Sequence, residues 1–208
     1  AQKDELTYMA YYDILTGLYN RNYFVRLLGE FLRNAEKDKC KVAVMFIDFD
    51  DFRRVNDGMG LIAGDDLVQL FGQYLSDLMS EHVVISHFST DIYCIAIYDP
   101  CGARSVETIY QVIKKRLEKP FKLMDGQEVT MTVSVGVSEY PEAATGALEL
   151  INCAEIVMFK AKSRGKDKIQ YFEGAILEEF LQTVTIQTKL REVVFEQNFT
   201  MHFQPQYY

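Results

Sequence analysis

The chain has 208 residues, of which 49% are hydrophobic and 25% charged, with a formal net charge of −8. That length suits one globular domain with an appendage, and the apolar fraction is enough for a sizeable core. The acidic balance argues against a non-specific nucleic-acid binder, which needs a basic surface, and no apolar run approaches the ~18 residues of a bilayer span.

The start, AQKDELTYMA, lacks the basic-then-apolar layout of a signal peptide. Residues 1–12 are expected to form a helical lead-in from an upstream region, with no membrane contact from this fragment. In DILTGLYNR (Asp13–Arg21), Thr16-Gly17 can reverse the chain and Asn20 can cap a helix presenting Phe24, Leu27, Leu28 and Phe31 on one face. VAVMFI (Val42–Ile47) is apolar without alternation, which predicts a central strand buried on both faces. It runs into DFDDF, a short helical piece around RRVND, then GMGLIAGDD. From Asp65, Leu67, Leu70, Phe71, Tyr74, Leu75 and Leu78 recur at helical steps.

VVIS (Val83–Ser86) and CIAIY (Cys94–Tyr98) flank the polar tip HFSTDIY, a predicted hairpin. Ser105–Glu118 predicts a helix with Val106, Ile109, Val112, Ile113 and Leu117 inward, ended by Pro120. Asp125-Gly126 marks a tight turn. Met131, Val133, Val135 and Val137 alternate with Thr130, Thr132, Ser134 and Gly136, which predicts a strand with one polar face. Leu150, Ile151, Ala154, Val157, Met158 and Ala161 define a helix stopped near Gly165, and Lys168–Phe172 reads as an edge strand. Crossovers combined with a hairpin predict an α/β fold, a mixed sheet of about five strands with helices on both faces. The domain is expected over 13–172, followed by an exit helix over 173–197 and the start of another domain over 198–208.

Three carboxylate groupings fall near strand ends: Asp48 with Asp50, Asp65 with Asp66 at the start of a helix, and Asp91 in the hairpin tip. Such oxygens suit Mg²⁺, which takes one or two carboxylates plus phosphate oxygens; helix capping and solvation explain the same pattern. Asn56 and Asp65 could pair with a guanine edge, although Asn-Asp-Gly also reads as a turn. Lys160, Lys162, Lys166 and Lys168 could hold phosphates or complement a helix dipole. None of Cys40, Cys94, Cys101 and Cys153 forms a C-x-x-C pair, so buried, reduced thiols in a cytoplasmic compartment are expected. His82, His87 and His202 are scattered and suggest no zinc site.

DILTGLYNR, FIDFDDFRRVNDGMGLIAGDDLV, VSVGVSEYP and AEIVMFKAKSRGKDKI, in this order and spacing, resemble the GGDEF family of diguanylate cyclase domains. FTMHFQPQYY resembles the first strand of an EAL domain, a cyclic-di-GMP phosphodiesterase. The resemblance implies Mg²⁺ on Asp48, the Phe49 carbonyl and Asp91. It implies guanine on Asn56 and Asp65, and GTP phosphates on Arg53, Lys162 and Lys166. In active members two domains face each other, so a homodimer is implied as well. Yet the signature, Gly-Gly-Asp-Glu-Phe in the family, reads Ser89-Thr90-Asp91-Ile92-Tyr93 here. The glycines that allow positive φ are gone, and Ile92 can neither bind a metal nor carry a proton. Leu61 replaces the histidine of the family's G-H-x-x-G-D run. Ser80, Glu81, His82 and Val83 stand where product inhibition uses Arg-x-x-Asp. The expectation is a catalytically degenerate domain that binds GTP and Mg²⁺, or serves as a scaffold, to regulate a downstream EAL domain. A weak cyclase and a ligand-free dimerisation module are the alternatives. The full-length protein could still be membrane-anchored through its upstream region.

Overall fold

The computed structural model describes residues 8–99, 105–176, 178, 182 and 185. The chain divides into two units, Ala1–Glu173 and Gly174–Tyr208. In the second, the described residues are helical. Most of the exit helix predicted over 173–197, all of the tail 198–208 and Cys101 lie outside the described residues.

The centre of the first unit is β1 (Lys41–Phe49), whose side chains are buried on both sides from Val42 onward. It lies between two antiparallel neighbours, β3 (Ile92–Asp99) and β6 (Val133–Tyr140). β2 (Val83–Ser89) completes one edge as the hairpin partner of β3. β7 (Ile169–Tyr171) runs parallel to β6 at the other edge, giving the order β2-β3-β1-β6-β7. The five-stranded mixed sheet matches the reading from the sequence. Phe121–Lys122 (β4) and Glu128–Val129 (β5) form a separate hairpin around Asp125-Gly126, where Gly126 has φ 85°.

Alternate residues of β1 face different cores. Val42, Val44 and Phe46 pack with α1 (Arg21–Asp38) and α5 (Ala147–Ser163), through Phe24, Leu28, Phe31, Leu150, Ala154 and Met158. Ala43, Met45, Ile47 and Phe49 face α2 (Phe52–Met59), α3 (Leu61–Ser76) and α4 (Val106–Leu117). Asp48 continues the first series, so its carboxylate emerges at the strand end on the α5 side. Asn20 caps α1 by accepting the Tyr23 N–H, as its position predicts.

Several local expectations change. The helix expected from Asp65 begins at Leu61, so Asp65 and Asp66 lie in its second turn. Asn56-Asp57-Gly58 is helical within α2, since Phe52 and Val55 anchor that turn in the core. In α4 it is Tyr110 that is buried, whereas Val112 is 37% exposed. The predicted polar face of the Met131–Val137 strand is covered: Ser134 and Ser138 are buried, and Ser138 donates to the Leu150 carbonyl. Gly136 allows this, because a Cβ there would stand 2.0 Å from the Ala154 carbonyl oxygen of α5. Of the described cysteines, all free, Cys94 is buried, and Cys40 and Cys153 are half-buried.

Candidate functional site

The end of β1 and the β2–β3 tip meet at one end of the sheet. Asp48 pairs in register with Ile92, and the Phe49 N–H donates to the Asp91 carbonyl at 3.4 Å. The Asp48 and Asp91 carboxyl groups are close enough to share a hydrogen bond. Lys162, one helical turn beyond Met158 on α5, reaches over them. Its Nζ donates to Asp48 Oδ1 at 2.5 Å and to the Phe49 carbonyl at 3.3 Å. Burial and the neighbouring carboxylate raise the Asp48 carboxyl to about 6, with Lys162 opposing them. Burial raises Asp91 as well. Two crowded carboxylates and a carbonyl are hard oxygen donors that a divalent cation such as Mg²⁺ would neutralise better than one ammonium. Among the described residues no group of three or more His, Cys, Asp or Glu side chains gathers around a metal position, so phosphate oxygens or water would complete a shell.

Asp50, grouped with Asp48 in the sequence, has a different job. It is buried and accepts from Thr132 Oγ1 and Ser134 Oγ, both at 2.7 Å, and from the Asp167 N–H at 3.0 Å. These bonds tie the end of β1 to β6 and to the loop before β7, leaving Asp50 as a structural carboxylate. Asp66 similarly accepts the Met124 N–H at 3.1 Å.

Asn56 and Asp65 are brought together across the α2–α3 junction. Asn56 Oδ1 lies against Gly64, the residue before Asp65, where an added Cβ would be 2.0 Å away. That oxygen is buried without a hydrogen-bond partner, an arrangement that costs about 1–3 kcal/mol unless something satisfies it. Asp65 is exposed, as is Leu61.

The predicted phosphate cations are spread out. Arg53 is exposed and reaches Asp57 at 3.3 Å, and Lys166 pairs with Asp51 at 2.8 Å. Lys168 donates to the Arg164 carbonyl. Lys162 joins the carboxylate pair.

The tip is a two-residue turn, Thr90-Asp91, closed by the Ser89–Ile92 pair. Thr90 takes φ 26°, where a β-branched residue is strained, while Ser89 keeps to ordinary backbone space. Ile92 is half-buried against the α1–α5 core. Tyr93 is fully buried, and its hydroxyl donates to the Val68 carbonyl at 2.6 Å.

Sequence reasoning missed His87. It is 8% exposed, with Nδ1 2.9 Å from Asp13 Oδ1 and Nε2 3.2 Å from the Thr90 carbonyl. The signal available was a histidine three residues before the tip, but the partner lies 74 positions away, which no local pattern reports.

These elements define an α+β, cyclase-like domain. A family model described as "Diguanylate cyclase, GGDEF domain" matches residues 10–168. The chain is 30% identical over 200 residues to cyclic di-GMP phosphodiesterase NbdA of Pseudomonas aeruginosa, covering 96% of this chain and 25% of that protein. It is 31% identical over 204 residues to signaling protein YkoW of Bacillus subtilis, covering 98% and 25%. The solved GGDEF domain of TpbB (YfiN) from Pseudomonas aeruginosa superposes with a TM-score of 0.74 at 26% identity, covering 82% of this chain and 99% of that one. The chain belongs to the GGDEF family, a domain family of cyclic-di-GMP signalling. It spans about a quarter of the length of the curated relatives just named.

Proposed function

We propose that this is a catalytically degenerate GGDEF domain that binds GTP with Mg²⁺ and regulates a phosphodiesterase domain of the EAL type further along the same protein. The observation that carries the reading is the contrast within one site. The pair Asp48–Asp91 with Lys162 is assembled, and Asn56 keeps an unsatisfied oxygen beside Asp65. At the tip, an aliphatic Ile92, half-buried against the core, stands in place of an acid.

In this reading Asn56 and Asp65 hold the guanine edge, and Asp48, Asp91 and the Phe49 carbonyl hold Mg²⁺. When bound, the metal would neutralise phosphate charge. Lys162 would then turn from Asp48 to the phosphates, and Arg53 and Lys166 would join it by leaving Asp57 and Asp51. Cyclisation needs a proton removed from the attacking 3′-hydroxyl. Ile92 cannot take it, and the loss of such a group typically lowers rates by ~10²–10⁴. A nucleotide that favours one arrangement of the chain over another could pass its occupancy to a neighbouring domain or a second copy. The relative named as a cyclic di-GMP phosphodiesterase, and the EAL-like tail FTMHFQPQYY, support that partner.

Isothermal titration of GTP with Mg²⁺ tests this. Binding is expected, weakened at least about tenfold in Asn56→Ala and in Asp65→Ala, with no cyclic di-GMP on chromatography. Formation of that product, abolished by Asp91→Ala, would overturn the degenerate reading; absence of heat at millimolar nucleotide would leave a scaffold.

A further inference from the structure

His87 lies between two acceptors. On one side is the Asp13 carboxylate of the opening turn, and on the other the Thr90 carbonyl of the tip. Neither oxygen carries a proton to give. A neutral imidazole has one N–H, so it satisfies one of these contacts and turns a lone pair toward the other oxygen. Only the imidazolium donates to both. We infer that His87 is a positioning residue that, as an imidazolium, clamps the Thr90-Asp91 tip to the opening segment, so that the placement of Asp91 depends on pH.

The surroundings support a clamp. Thr90 is held at φ 26°, a strained value that persists only where neighbouring contacts over-determine it. The Nε2 contact falls on that residue's own carbonyl. Asp13 is itself fixed, accepting from Thr16 N at 2.9 Å and Thr16 Oγ1 at 2.8 Å. Burial would raise the Asp13 carboxyl, but the bonds from His87 and Thr16 outweigh it and bring it down to about 2. The backbone closes the same junction, the His87 N–H donating to the Tyr19 carbonyl at 3.1 Å. Other groups around the ring do not replace the clamp. Tyr93 of β3 packs its ring at 5.2 Å with its hydroxyl committed to Val68 of α3, Arg21 of α1 lies over the Phe88 ring, and Asp91 lies beyond Thr90. Deprotonation would therefore remove one of the two ring contacts and loosen the tip, leaving the backbone bonds from His87 to Tyr19 and from Phe49 to Asp91. A consequence for Mg²⁺ and GTP follows only on the reading proposed above.

The test uses the nucleotide-free chain. Ring ¹⁵N resonances of His87 report its protonation, and amide exchange at Thr90, Asp91 and Ile92 reports the tip, from about pH 5.5 to about pH 8.5. The ring is expected to carry both protons at the acidic end. Tip protection, corrected for the intrinsic pH dependence of exchange, should fall about tenfold as the second proton leaves, the loss expected of one charged hydrogen bond. His87→Arg, which keeps donors and charge, should hold its protection across the range, whereas His87→Gln should show low protection throughout. A ring that never holds both protons would overturn the inference. So would a ring that titrates without moving the tip, or a tip equally pH-dependent in His87→Gln. Because no ligand is involved, a failed GTP titration leaves this result standing, and the converse also holds.

Discussion

Gly64 is the residue on which the site's geometry is most finely set. Its missing Cβ makes room for Asn56 Oδ1, and that oxygen has no partner to lose. Gly64→Ala must push the amide aside, with Phe52 also close at 3.1 Å. Alanine gains about 1 kcal/mol of helix propensity over glycine, which offsets part of the displacement. The midpoint of urea unfolding should therefore change little, while GTP affinity falls at least about tenfold. Retained affinity would detach Asn56 from purine recognition. Asp48 offers a second local readout. Its carboxyl sits at about 6, well above the ordinary 3.8, so it is partly protonated near pH 6. A cation binding there must displace that proton. Titration of Mg²⁺ with GTP near pH 6 should release protons, seen as heats that change with the ionisation enthalpy of the buffer, and Asp48→Asn should remove the effect.

Among the elements, α5 carries the most. Its close approach to β6 at Gly136 brings Ala154 and Met158 onto the sheet and delivers Lys162 to Asp48. Gly136→Ala would place a methyl group 2.0 Å from a backbone oxygen and 2.3 Å from the Met158 nitrogen. Neither atom can rotate away, so the helix must lift from the sheet. A loss of about 3 kcal/mol or more, read from urea unfolding, is expected. The Lys162–Asp48 contact should loosen with it. The β2–β3 hairpin has the opposite character: its strands are buried, but its tip carries a strained residue, Thr90, and is met by the His87 ring and the Phe49 N–H.

Across the whole molecule, Asp13 and Asp48 pull the pH dependence of stability in opposite directions. Asp13, lowered from 3.8 to about 2, adds stability that is present above pH 3.8 and lost as pH falls toward 2. Screening by solvent around this partly exposed carboxylate limits that contribution to on the order of 1 kcal/mol. Asp48, raised from 3.8 to about 6, favours the folded state below 3.8 and loses that contribution as pH rises to about 6. Urea unfolding should show Asp13→Asn with a flatter limb below pH 3.8, and Asp48→Asn without a falling limb between 3.8 and about 6. Unchanged limbs would mean that these groups are not perturbed as their contacts indicate.

Much of this fold was legible because its signals are local. Val42–Ile47 announced a strand buried on both faces, Asn20 a cap and Asp125-Gly126 a turn. Other features depend on partners distant in the chain. Asp48 and Asp50 are two residues apart, yet one meets Lys162 and the other Thr132 and Ser134, because β1 ends at Phe49 and Asp50 lies in the turn beyond it. The serines of β6 looked solvent-facing until α5 covered them, and His87 looked isolated until the opening turn brought Asp13 to it. Period and composition report what a residue prefers nearby; which groups become neighbours, and so which protons and charges they hold, follows only once the chain has closed on itself.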